Sequence, residues 1–160
     1  MPNRSTRHLT EIAFILLACT LVLPIFGATD PFAGTWKLNV AKSKLQPPAP
    51  GSDTVRLEID AKEIRIEQEG TDDKGVPFKL TVQGGFDHSV YGIAGCRYAD
   101  AVVFRRPSVR HIVAEARKSG VAVAWLDAEV SGNTLKINVS VLNAEGKEIK
   151  GVALLQRETP

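Results

Sequence analysis

Thr134-Leu135-Lys136-Ile137-Asn138-Val139-Ser140-Val141-Leu142 sets Leu135, Ile137, Val139 and Val141 against Lys136, Asn138 and Ser140. A period of two sends successive side chains to opposite faces of an extended chain, so one face of this stretch meets a core and the other meets water. The same pattern holds from Asp53 to Asp60, where Val55, Leu57 and Ile59 oppose Arg56 and Glu58. Working outward, strands are expected at Gly34 to Val40, Lys62 to Gly70, Val76 to Gly84, Ala99 to Arg106, Val109 to Lys118, Val121 to Val130 and Glu148 to Arg157. A short piece around His88 to Tyr91 could add one more. The joints are short and hold turn residues, among them Asp72-Asp73-Lys74-Gly75, Lys118-Ser119-Gly120, Ser131-Gly132-Asn133 and Asn143-Ala144-Glu145-Gly146. Such turns pair each strand with its neighbour in sequence, and a sheet of many twisted strands tends to curl until its edges meet. The expectation is an all-β fold, an antiparallel up-and-down meander of about eight to ten strands closing into a barrel.

Two segments interrupt the rhythm. Ser43 to Ser52 contains Pro47, Pro48 and Pro50, which remove backbone donors and hold the chain extended, so this connection is expected to be irregular, with no helical lid. Gly84 to Asp100 carries Gly84, Gly85, Gly92 and Gly95 beside Tyr91 and Tyr98. A long loop in a compact domain is often functional, so the mouth of a binding site is expected there.

The N-terminal region reads as an export signal. Arg4 and Arg7 precede a run from Ile12 to Phe26 that is apolar except for Thr20, and Gly27 and Ala28 supply small residues for cleavage. Residues 1–28 are therefore expected to be a signal peptide and 29–160 the folded domain, working in the periplasm or outside the cell. The apolar run is shorter than the ~20 residues a membrane-spanning helix needs, so no stable membrane insertion is expected after cleavage. Leu16-Leu17-Ala18-Cys19 loosely matches a lipoprotein box, which makes acylation at Cys19 the alternative fate. Without the leader, Cys96 is the only cysteine, and no internal disulfide can form. Of 20 Lys and Arg, Arg4 and Arg7 fall in the leader, and of 18 Asp and Glu only Glu11 does. The remaining charge is nearly balanced and well mixed, which leaves no footprint for nucleic acid.

Pro31-Phe32-Ala33-Gly34-Thr35-Trp36-Lys37-Leu38-Asn39, continuing through Ala41-Lys42-Ser43-Lys44, resembles the opening of the calycins, the lipocalins and fatty-acid-binding proteins, whose first strand begins Gly-x-Trp. It is similar above all to a group of small secreted bacterial lipocalin-like proteins of unassigned function. The resemblance implies a lipocalin-like barrel in which Trp36 caps one end, Gly34 leaves room for its ring, and an arginine from the end of the last strand, here Arg157, stacks on it. The proline segment departs from fatty-acid-binding proteins, which place two helices after the first strand.

Chemistry is sparse. His88 and His111 are the bases available at neutral pH in the mature region, and Asp87-His88-Ser89 cannot form a relay along an extended chain, where neighbouring side chains point apart. A metal site would need His88, Cys96 and His111 to converge without any spacing signature. No catalytic, metal or cofactor-binding residue is assigned. Phe78, Phe104 and Trp125 lie within strands and are the candidates for lining an apolar pocket, the other reading being that they fill the core. The expected function is binding of a small hydrophobic ligand in the barrel. The alternative is a non-enzymatic envelope or extracellular interaction module with the barrel as scaffold.

Overall fold

In a computed structural model describing residues 29–47 and 49–159, ten strands run in sequence. They are β1 (Gly34–Leu38), β2 (Ser52–Ile59), β3 (Glu63–Thr71), β4 (Pro77–Gly85), β5 (Val90–Ala94), β6 (Ala101–Ser108), β7 (His111–Lys118), β8 (Val121–Ser131), β9 (Thr134–Leu142) and β10 (Glu148–Arg157). Each pairs antiparallel with the next, and β1 also pairs with β10, so the sheet closes into a barrel. The all-β meander barrel expected from the alternation is the fold observed. The leader and Cys19 lie outside the described residues.

Turn chemistry fixes the registers. The Asp60 carboxylate accepts from the amides of Lys62 and Glu63, and Asp72 does the same for Lys74 and Val76. Those amides hold both carboxyls below the usual carboxylate range. One difference from the sequence reading concerns Gly84 to Asp100. It is no continuous loop, because β5 occupies its middle, with Val82 opposite Ile93 and Tyr91 opposite Val102. Glycines within and beside a strand this short weaken its local signal, and pairing on both sides holds it.

The inward positions grade from one end of the barrel to the other. At the closed end, Trp36 and Phe32 pack with Leu135 and Leu155, all essentially without exposure. The Trp36 indole N–H donates to the Phe32 carbonyl at 2.8 Å, so the ring is buried with its one polar group satisfied. The Arg157 guanidinium lies 4.1 Å from the centre of that ring and donates to the Pro31 carbonyl at 2.6 Å and to the Ala33 carbonyl. Gly34 has φ +130°, and a Cβ there would stand 2.7 Å from Arg157 Nη1, so glycine meets both a backbone and a space requirement. Arg106 forms a second clamp nearby, pairing with Asp30, donating to the Asp60 carbonyl at 2.8 Å and stacking on Phe86.

The opposite end is covered by the segment between β1 and β2. Lys44 exchanges two backbone hydrogen bonds with Val152 on β10, and Gly51 N–H donates to the Thr71 carbonyl at the end of β3. Gly151 allows the first contact, since a Cβ there would meet the Lys44 carbonyl and the Leu45 side chain at 3.1 Å. The described residues of the proline-rich segment are thus irregular but tied down on both sides.

Candidate functional site

Between the closed end and the proline segment lies a cavity of about 330 Å³. Its floor includes Phe104, Ile112 and Leu135, its walls Ile66, Ala114, Ala128 and Ile137, and its mouth Leu45, Ala49, Pro50, Asp53 and Gln68. The space exists because several inward positions are small: Ala114 on β7, Ala128 on β8, and Gly151 and Ala153 on β10. Ten strands enclose more volume than such residues fill. The size is at the lower end of what small-molecule pockets occupy.

Phe104 is buried and lines this cavity, with its ring edge-to-face against Phe86 at 6.5 Å. Phe78 pairs with Gly70, is half-buried, and does not contribute to the cavity wall. Trp125 corrects the expectation of an inward ring. In β8 the inward residues are Leu126, Ala128 and Val130, so period two sends Trp125 outward with Asp127 and Glu129, and it is 36 % exposed. Gly34, Trp36 and Arg157 meet at the closed end, away from the ligand space. The mouth is not built by Gly84 to Asp100, none of which lines the cavity.

Asp53 is the polar feature missed by the sequence reading. It alternates with Val55 and Leu57 onto the inner face, and Gln68 Nε2 donates to its Oδ2 at 2.7 Å. Its Oδ1 is buried and has no hydrogen-bond partner among the described residues. Burial pushes the carboxyl up to about 6, and the Gln68 bond opposes that rise. Lys150, the other titratable residue at the cavity margin, is no counter-ion to it: its side chain is 73 % exposed and its ammonium sits 3.3 Å from Glu148.

Other reactive groups are scattered. His88 adopts φ +66° in the exposed turn before β5, and Cys96 follows β5 at its other end, so the strand separates them. His111 is on the outer surface, 3.2 Å from Asp127, with Glu129 as its cross-strand partner. The donor atoms of these three lie within 4.8 Å of one another. Exposed trios of this kind form readily wherever charged residues face each other across strands.

No protein-family model and no curated protein sequence matches the chain. Among solved structures, it is similar to the EF1p2_mFAP2b barrel bound to DFHBI (TM-score 0.47, 12% identity, 80% of this chain and 94% of that one). It is also similar to apocrustacyanin C1 (TM-score 0.46, 14% identity, 82% of this chain and 63% of that one). A third is a de novo designed fluorescence-activating β-barrel (TM-score 0.43, 16% identity, 82% of this chain and 97% of that one).

Proposed function

We propose that this chain is an exported binding protein that takes one small, mostly apolar molecule into the barrel cavity. The observation that carries the reading is the cavity of about 330 Å³, open at its mouth, walled by aliphatic side chains and Phe104 and lying beneath an anchored segment. Burying an apolar ligand there removes its surface and that of the lining from water, at about 25 cal/mol per Å² before the costs of association. Export rests on the leader read in residues 1–28.

The scaffold reading has less support. It calls for an unprotected sheet edge or a contiguous exposed apolar patch, and every described strand is paired on both sides. Of the exposed large apolar residues, Val40, Val76, Tyr98 and Val109 lie in separate connections and turns, Val90 opens β5, Val121 opens β8, and Trp125 follows on β8 with Asp127 and Glu129 beyond it.

The test is titration of the purified protein with N-phenyl-1-naphthylamine, a neutral dye that fluoresces in apolar surroundings. Saturable enhancement at one dye per chain is expected, and it should be lost in Ala114→Phe, which fills the cavity. No saturable enhancement, or full retention in A114F, would overturn the reading.

A further inference from the structure

The mouth of the cavity adds a requirement of its own. Every cavity residue below it is apolar, yet Asp53 brings a carboxyl onto the inner face. Gln68 occupies one oxygen, and the cross-strand partner of Asp53 is Gly70, which puts no side chain beside the other. A buried polar atom without a partner pays its full desolvation penalty uncompensated, and a larger one when it carries charge. Such a group is expected either to be satisfied within the fold or to serve something that arrives later.

The groups around it do not satisfy it. On its own strand the inner-face neighbour is Val55. On β3 it faces neutral Gln68. From the covering segment come Leu45, Gln46, Ala49 and Pro50, and from β10 Lys150, whose ammonium is engaged outside by Glu148. No described cation faces the carboxyl from any element packed around the mouth.

We propose that Asp53 Oδ1 is the recognition point for the polar end of the ligand, so that the molecule bound is an apolar body carrying a hydrogen-bond donor, best a protonated amine, and not a fatty-acid anion. This rests on the cavity-binding reading and deepens it. The apolar body occupies the space above Phe104 and Ile112, and the ammonium lies at the mouth beneath Ala49 and Pro50. There it supplies the charge-assisted hydrogen bond that the fold withholds. A carboxylate ligand would instead set two anions side by side in a poorly solvated site. The raised affinity of Asp53 for its proton fits the same picture of a carboxylate held without compensation.

Calorimetric titration of the protein with octylamine, octan-1-ol and octanoate separates the two readings, because the three share one tail. At pH 7.5 octylamine should bind roughly tenfold or more tightly than octanoate, with octanol between them. In Asp53→Asn the amine-over-octanoate ratio should fall to about three or less, the isosteric amide keeping the shape of the mouth. A second measurement needs no variant. Octylamine stays charged and octanol neutral between pH 7.5 and pH 5, so protonation of Asp53 should shrink their affinity ratio by up to roughly tenfold. If none of the three binds, the cavity-binding reading itself falls, and this inference with it. If octanoate binds as well as octylamine, or the preference survives D53N and the pH change, cavity binding stands and the role of Asp53 is overturned.

Discussion

Substituting Asp53 by Asn should make the ligand-free protein more stable at neutral pH, the reverse of what most substitutions of buried residues do. Burial raises the carboxyl from 3.8 to about 6 in the fold, so the folded state holds this proton more tightly than the unfolded chain. Below about pH 4 the carboxyl is protonated in both states and costs nothing in electrostatic terms. Between about pH 4 and pH 6 the unfolded chain ionises first, and stability falls as pH rises. Above about pH 6 the loss is complete. A rise of that size corresponds to about 3 kcal/mol, and partial access of water through the mouth reduces that to about 1–2 kcal/mol. The asparagine amide would keep an oxygen for the Gln68 side chain and remove the charge. Urea denaturation followed by tryptophan fluorescence should therefore show D53N more stable than wild type by about 1–2 kcal/mol at pH 7.5, with the gap closing by pH 4. Equal or lower stability of D53N at pH 7.5, or a gap that is constant with pH, would refute the assignment of an uncompensated buried carboxylate.

The closed end yields sharper losses. Arg157→Ala removes two hydrogen bonds to backbone carbonyls and the stacking on Trp36, and should cost about 2–4 kcal/mol; Arg157→Lys should recover little, since an ammonium cannot reproduce the flat fork. Gly34→Ala, which strains a φ of +130° and intrudes on Arg157, should cost about 1–3 kcal/mol in the same urea assay. Phe104→Ala should lower stability by about 3–5 kcal/mol by enlarging the cavity, whereas Trp125→Ala, on the outer surface, should leave octylamine affinity unchanged by calorimetry.

Much of the barrel was legible because amphipathic strands announce themselves. β2 and β9 alternate cleanly, and short turns leave neighbours no partner but each other. β5 was hard to read because Gly92 and Gly95 dilute its pattern and its stability comes from two flanking strands. Lying within a strand does not say which face Trp125 takes; Asp127 and Glu129 at the same period mark that face as the wet one. The cavity is written in what is small: Ala114, Ala128, Gly151 and Ala153 fall at inward positions, but only closure of the barrel brings them around one space. Asp53 was within reach of the period-two reading, since Asp53, Val55, Leu57 and Ile59 share one face. What that pattern lacks is the neighbour list, and so it could not show that Gln68 satisfies one oxygen and nothing described satisfies the other.

If the interior of this barrel is a binding space for a single small molecule, native mass spectrometry shows it most directly, on protein purified without refolding and incubated with octylamine. One retained adduct per chain in the wild type, absent from Ala114→Phe, is the predicted result. No adduct in the wild type, or the same adduct in the filled variant, would contradict it.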